Sequence, residues 1–249
     1  MSKYYKIPRQ PSWNFGGPNW NLSRSKIDLF LNCQKCFYLD NKLGLKRPPG
    51  YPFNLNTAVD TLLKKEFDIH RAKNTKHPLQ EKYGIDARPV AHDELDEWRE
   101  NFKGVRYFHE QTGMTVTGAI DDLWINSKDE YMVVDYKATS KEAVIDELNE
   151  DWQDGYKRQM EVYQWLLRKK GLKVSRTGYF VYCNGITDKK AFDGKLEFDI
   201  TLIDYRGNTT WIEPTLLEIK KCLKSNKIPK SDKECDHCKW YDARKEYEK

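Results

Sequence analysis

The chain has 249 residues, 39% hydrophobic and 33% charged, with a formal net charge of +5 and a pI near 8.7. No apolar run approaches the ~18–20 residues of a membrane span, and the opening MSKYYKIPRQPSW lacks the apolar core of a signal peptide. A membrane helix is not expected, and a cytoplasmic globular protein mildly suited to polyanionic partners is; in that setting its six cysteines read as thiols or metal ligands rather than a disulfide framework.

Residues 1–22 form an aperiodic arm, punctuated by Pro8, Pro11, Gly16, Gly17 and Pro18, with Trp13, Phe15 and Trp20 between them. The arm either packs its tryptophans on the body or offers them for stacking. Ser23 is placed as the N-cap of a helix to about residue 41, with Ile27, Phe30, Leu31 and Tyr38 on one face and Cys33 and Cys36 three apart. A loop closed by Pro48, Pro49 and Gly50 leads to a second helix over 54–71, burying Ala58, Leu62, Leu63 and Phe67. Residues 72–110 are highly charged and read as a helical cap inserted in the core, with one helix over 92–103. Residues 23–249 are otherwise expected to be one domain.

Residues 118–139, GAIDDLWINSKDEYMVVDYKAT, predict two strands joined by a turn at 126–129. Asp135 and Lys137 lie two apart on the second strand and so point to one face, and a hairpin register brings Asp121 or Asp122 opposite them. A carboxylate and an ammonium beside Val133 and Val134 must pair with each other or bind something. The residues alone admit a buried ion pair in a hairpin, or clustered carboxylates neutralised by a hard divalent cation. A helix over 149–170 follows, with Gln159 and Tyr163 one turn apart and Gly171 as its stop. Strands over 177–183 and 196–203, a helix over 214–225 and a basic tail with Cys235 and Cys238 complete the chain. The order suits an α/β fold with a mixed sheet flanked by helices. Basic clusters over 168–176 and 220–233 either track a phosphate backbone or are solvated surface. Cys183 and Cys222 read as incidental thiols.

Gly118-Ala-Ile-Asp121, the hairpin, and Asp135-Tyr-Lys137 resemble the core of the PD-(D/E)XK nucleases, in the G-x-x-D…D-x-K form of RecB-type and CRISPR-associated exonucleases. The Ser23-x-Ser25 helix ending in Cys-x-x-Cys-Phe-Tyr, the segment Asn56-Thr-Ala-Val-Asp60, Gln159-x-x-x-Tyr163 and Cys235-x-x-Cys238 resemble further motifs of that group, in its order over about residues 23–240.

The resemblance implies a metal-dependent deoxyribonuclease, an exonuclease on single strands or ends, with a restriction-endonuclease-like core. Asp121 and Asp135 would hold Mg²⁺ or Mn²⁺, Tyr136 would lend its carbonyl, Lys137 would assist the attacking water, and Gln159 and Tyr163 would support the site. Asp60 stands where the family motif has histidine and Asn56 where it has glycine. Asp60 is therefore either an oxygen ligand favouring Mg²⁺ or a solvated helix residue. Cys33, Cys36, Cys235 and Cys238 can close one site that ties the ends of the fold, holding a [4Fe–4S] cluster or, alternatively, structural zinc. His237 could substitute for one thiol. Partners would be DNA and proteins of recombination or CRISPR adaptation. The alternative is a catalytically silent DNA-binding or assembly subunit that kept the fold.

Overall fold

The computed structural model describes residues 8–50, 54–141 and 145–248. Its described elements run β1 (Leu22–Ser23), α1 (Arg24–Asn32), α2 (Gln34–Asn41), α3 (Asn54–Lys73), α4 (Pro78–Lys82), β2 (Arg88–Pro89), α5 (Leu95–Arg99), β3 (Val105–His109) and β4 (Met114–Gly118). They continue with β5 (Asp122–Ile125), β6 (Tyr131–Thr139), α6 (Asp154–Lys169), β7 (Thr177–Gly185), β8 (Phe198–Arg206), α7 (Ile212–Lys224) and α8 (Asp236–Tyr247). The chain forms two compact units, one from Met1–Tyr51, Phe108–Thr117 and Thr210–Lys249, the other from Pro52–Tyr107 and Gly118–Thr209. The architecture is mixed α/β, with a three-stranded sheet of order β1-β4-β3 and a five-stranded sheet of order β2-β5-β6-β7-β8.

In the first unit β1 runs parallel to β4, and α7 packs on α1 and α2. Ser23 caps α1 by accepting the Lys26 N–H, as expected. The helix expected over 23–41 is two, broken at Cys33, whose extended backbone (φ −167°, ψ 106°) ends α1 and starts α2. An unbroken helix would hold Cys33 and Cys36 on one stripe, and the break frees Cys33 to turn towards the C-terminal thiols. In the arm, Trp20 is buried with its indole N–H on Asn41 Oδ1 at 3.0 Å, whereas Trp13 is exposed. The expected tail forms α8, which buries only Cys238 and so carries no apolar periodicity to announce it.

The second unit is built on the mixed five-stranded sheet. β5 and β6 form the expected antiparallel hairpin (Asp122↔Val134, Ile125↔Tyr131), and β6 pairs parallel with β7. Asn126 Oδ1 accepts the N–H groups of Lys128 and Glu130, which closes the turn. α3 packs Phe67 against Trp124 and Tyr136, ring centroids 5.3 and 5.7 Å apart. α6 packs on β6, with nine consecutive residues, Gln159 to Leu167, buried, so it is covered on all sides. Gly171 (φ +90°) ends it as predicted, the N–H of Leu172 reaching Leu167 O at 3.1 Å. The helix expected over 92–103 is only the five residues of α5, because Glu100 turns extended (φ −75°, ψ 126°) and ends it.

Candidate functional site

β6 sets the site by its pleat. Asp135 and Lys137 share one face, and Val134 and Tyr136 share the other. The register pairs Asp122 with Val134, so Asp122 belongs to the Tyr136 face. Asp121 stands one residue before β5, and its Oδ2 accepts, at 2.9 Å, the N–H of the peptide joining Asp135 to Tyr136. One backbone bond thus holds the carboxyl of Asp121 next to Asp135.

Asp135 is fully buried. The Lys137 ammonium pairs with its Oδ2, and Gln159 Nε2 donates to its Oδ1 at 2.7 Å. The same Nε2 lies 3.0 Å from Tyr163 Oη, and Gln159 Oε1 accepts from Lys137 Nζ at 3.3 Å. The four side chains Asp135, Lys137, Gln159 and Tyr163 are therefore one network across β6 and α6. Gly118 makes room for it: a Cβ there would stand 2.6 Å from Tyr163 Cε1, so the first glycine of the motif keeps that ring in place. Lys137 Nζ also lies 4.4 Å from the Tyr156 ring centroid.

α3 adds Asp60 to the same place. Lys64 Nζ sits 2.9 Å from Asp60 Oδ2 and 3.6 Å from Asp121 Oδ1, bridging the two acids. Burial, and next the charge of Asp121, push the Asp60 carboxyl above the usual carboxylate range. Carboxylates that repel one another around a shared cation form an all-oxygen donor set suited to a hard divalent ion. Asn56 Nδ2 donates to Ala138 O at 2.9 Å and ties the start of α3 to the end of β6, a bond that a glycine could not make.

Asp122, the other aspartate that a hairpin register could have brought opposite Asp135, is elsewhere. Its buried carboxylate takes the guanidinium of Arg71, that of Arg99 at 2.6 Å, the Tyr136 hydroxyl at 2.7 Å and the Leu123 N–H at 2.7 Å. Burial, then the Asp122 charge, push the Tyr136 phenol far above its ordinary value. Sequence reading missed Lys64 and Arg71, in the helix expected over 54–71, and Arg99, in the charged cap over 72–110; their residue types alone gave no sign of these partners.

In the first unit the four cysteines converge, all sulfurs within 4.8 Å of one another and buried. Sγ separations are 3.9 Å for Cys33–Cys238, 3.7 Å for Cys36–Cys235 and 3.6 Å for Cys36–Cys238. Arg47 Nη2 reaches Cys235 Sγ at 3.2 Å. Burial works against ionising Cys33, but backbone hydrogen bonds at Asp232 and Cys36 bring its thiol down to about 7. Cys183 lies in the apolar core, where burial pushes its thiol up to about 11. Among the described residues the thiol cluster includes neither Cys183, Cys222 nor His237.

A family model described as the PD-(D/E)XK nuclease superfamily matches residues 21–243. No curated protein sequence matches the chain.

Proposed function

The chain belongs to the PD-(D/E)XK nuclease superfamily, and from that premise we propose that it is a metal-dependent deoxyribonuclease, working as an exonuclease of the RecB-like kind. The observation that carries this reading is the bond from the Asp135–Tyr136 peptide to Asp121. It gathers two acids, and with Asp60 a third, beside a lysine that is held by a buried carboxylate and a glutamine.

Asp60, Asp121, Asp135 and the Tyr136 carbonyl would hold Mg²⁺ or Mn²⁺. When bound, the ion supplies Lewis acidity towards the phosphodiester and acidifies water. The chain's own part is positioning. Gln159 and Tyr163 fix the Asp135 carboxylate, and Lys137 presents an ammonium that can orient a nucleophilic water or offset charge developing on the phosphate. Lys64 neutralises Asp60 and Asp121 and must move aside for a cation between them.

The four cysteines form a separate metal site that fastens the front of the chain to its end. A tetrahedral ion with thiolates at ~2.3 Å separates the sulfurs by about 3.8 Å, close to the separations observed. An iron–sulfur cube puts each thiolate on a different iron and spreads them further, so these separations support the single ion over the cube. The reading is one structural zinc ion, its excess negative charge met by Arg47.

The test is degradation of linear DNA by purified protein in Mg²⁺, in Mn²⁺ and in EDTA, beside Lys137→Met. Cleavage that needs the metal and falls at least about 100-fold in a folded Lys137→Met supports the reading. Wild type that binds DNA and cleaves it with neither ion identifies the silent DNA-binding subunit instead.

A further inference from the structure

The indole of Trp152 is half exposed, which leaves part of a large aromatic ring available for contact. It does not stand alone. Its ring meets Tyr156 edge-on at 5.7 Å between centroids (84°), and Tyr156 in turn lies under Lys137 Nζ at 4.4 Å. Lys141 Nζ is 5.6 Å from the Trp152 ring centroid. A track of two aromatic rings therefore leads from the Asp135–Lys137 pair to a half-exposed indole, with the Lys141 ammonium over its ring.

The track is anchored. Trp152 lies in a single 3-10 turn, Asp151–Gln153, whose last residue is buried. Gln153 Oε1 accepts the Glu150 N–H at 2.9 Å, while the Glu150 side chain returns the bond to the turn. The ring is thus presented from a fixed backbone.

We propose that Trp152 is a base-stacking platform for single-stranded DNA next to the scissile phosphate, with Tyr156 joining it to the catalytic lysine and Lys141 placed for a flanking phosphate. This rests on the nuclease reading. An exposed ring stacks on any base whose face is free, whereas paired bases keep their faces inside the duplex. The platform therefore selects single strands or frayed ends.

The test is binding of a fluorescein-labelled oligothymidylate, and of a labelled duplex, measured by anisotropy in EDTA for wild type, Trp152→Ala and Trp152→Phe. Stacking of one base gives an expected loss of roughly 5- to 150-fold for Trp152→Ala on the single strand, less than about twofold on the duplex, and mostly retained binding for Trp152→Phe. An equal loss on both ligands, or no loss on the single strand, overturns the platform. Cleavage by wild type in Mg²⁺ is measured alongside: Trp152-dependent binding without cleavage would sink the nuclease reading and leave the platform standing, and cleavage with Trp152-independent binding would do the reverse.

Discussion

Replacing Asp122 by alanine should unfold the protein more readily than replacing its neighbour Asp121, although the sequence gives the two aspartates the same appearance. Asp122 is completely buried between the guanidiniums of Arg71 and Arg99, whose side chains are only 9% and 10% exposed. Each arginine has a second partner in Asp68, but that carboxylate is 44% exposed and screened by water. Without Asp122, two buried guanidiniums keep backbone carbonyl partners but, of the carboxylates they pair with here, retain just the half-exposed Asp68. Breaking a buried ion pair by removing one partner costs about 3–5 kcal/mol, and the Tyr136 hydroxyl and Leu123 N–H also lose their acceptor. For a chain of this length 1 kcal/mol shifts Tm by about 2–4 °C, so the expected drop is roughly 6–20 °C. Asp121 is partly exposed and stands beside Asp60. Its removal gives up one backbone bond and a loose, partly exposed pairing with Lys64 and relieves a repulsion, a net change within about 1 kcal/mol. Thermal melts of Asp122→Ala and Asp121→Ala, followed by circular dichroism, separate the two roles. An Asp122→Ala melt within 2 °C of wild type, on the order of the scatter of neutral surface changes, would refute the buried charge clamp.

Gly118→Ala forces a methyl against the Tyr163 ring; a loss of about 1–3 kcal/mol together with slower cleavage is expected, and an unchanged melt and rate would show that the ring is not held there. Asp60→His replaces a carboxylate oxygen by imidazole nitrogen and should shift the cleavage ratio towards Mn²⁺ over Mg²⁺; an unaltered ratio means that Asp60 does not touch the ion. Cys235→Ser should lose zinc and lower Tm while keeping some cleavage, since thiolate ligation can contribute on the order of 10 kcal/mol to folding in small zinc domains. Full zinc content at an unchanged Tm contradicts that site, and absorbance near 400 nm in wild type would restore the iron–sulfur assignment.

Much of this arrangement is written in short-range patterns. Alternation in residues 131–139 and the Asn126 turn are enough to place Asp135 and Lys137 on one face, and the i, i+4 spacing of Gln159 and Tyr163 puts them on one face of α6. The choice between Asp121 and Asp122 is different: read without the family motif, it waits on the register, which pairs Asp122 with Val134 and leaves it to Arg71 and Arg99 from α3 and α5. Nothing local marks those arginines as buried in a charged segment. The Cys33 break was hidden because both halves carry helical apolar spacing, and its cause is a partner some 200 residues away. Two-plus-two cysteine spacing suits zinc and iron–sulfur alike. The sulfur separations of 3.6 to 3.9 Å are the ground on which zinc is proposed.

The central claim is that Asp121, Asp135 and Lys137 make a metal-dependent phosphodiesterase. Its most direct measurement is the cleavage rate of end-labelled DNA as Mg²⁺ is titrated, for wild type and for an Asp135→Asn protein whose melt matches wild type or, if it does not, at a temperature where both are folded. The account predicts a saturable Mg²⁺ dependence in wild type, no cleavage in EDTA, and a rate at least about 100-fold lower in Asp135→Asn. Cleavage by wild type in EDTA, or a folded Asp135→Asn that cleaves as fast as wild type, would contradict it.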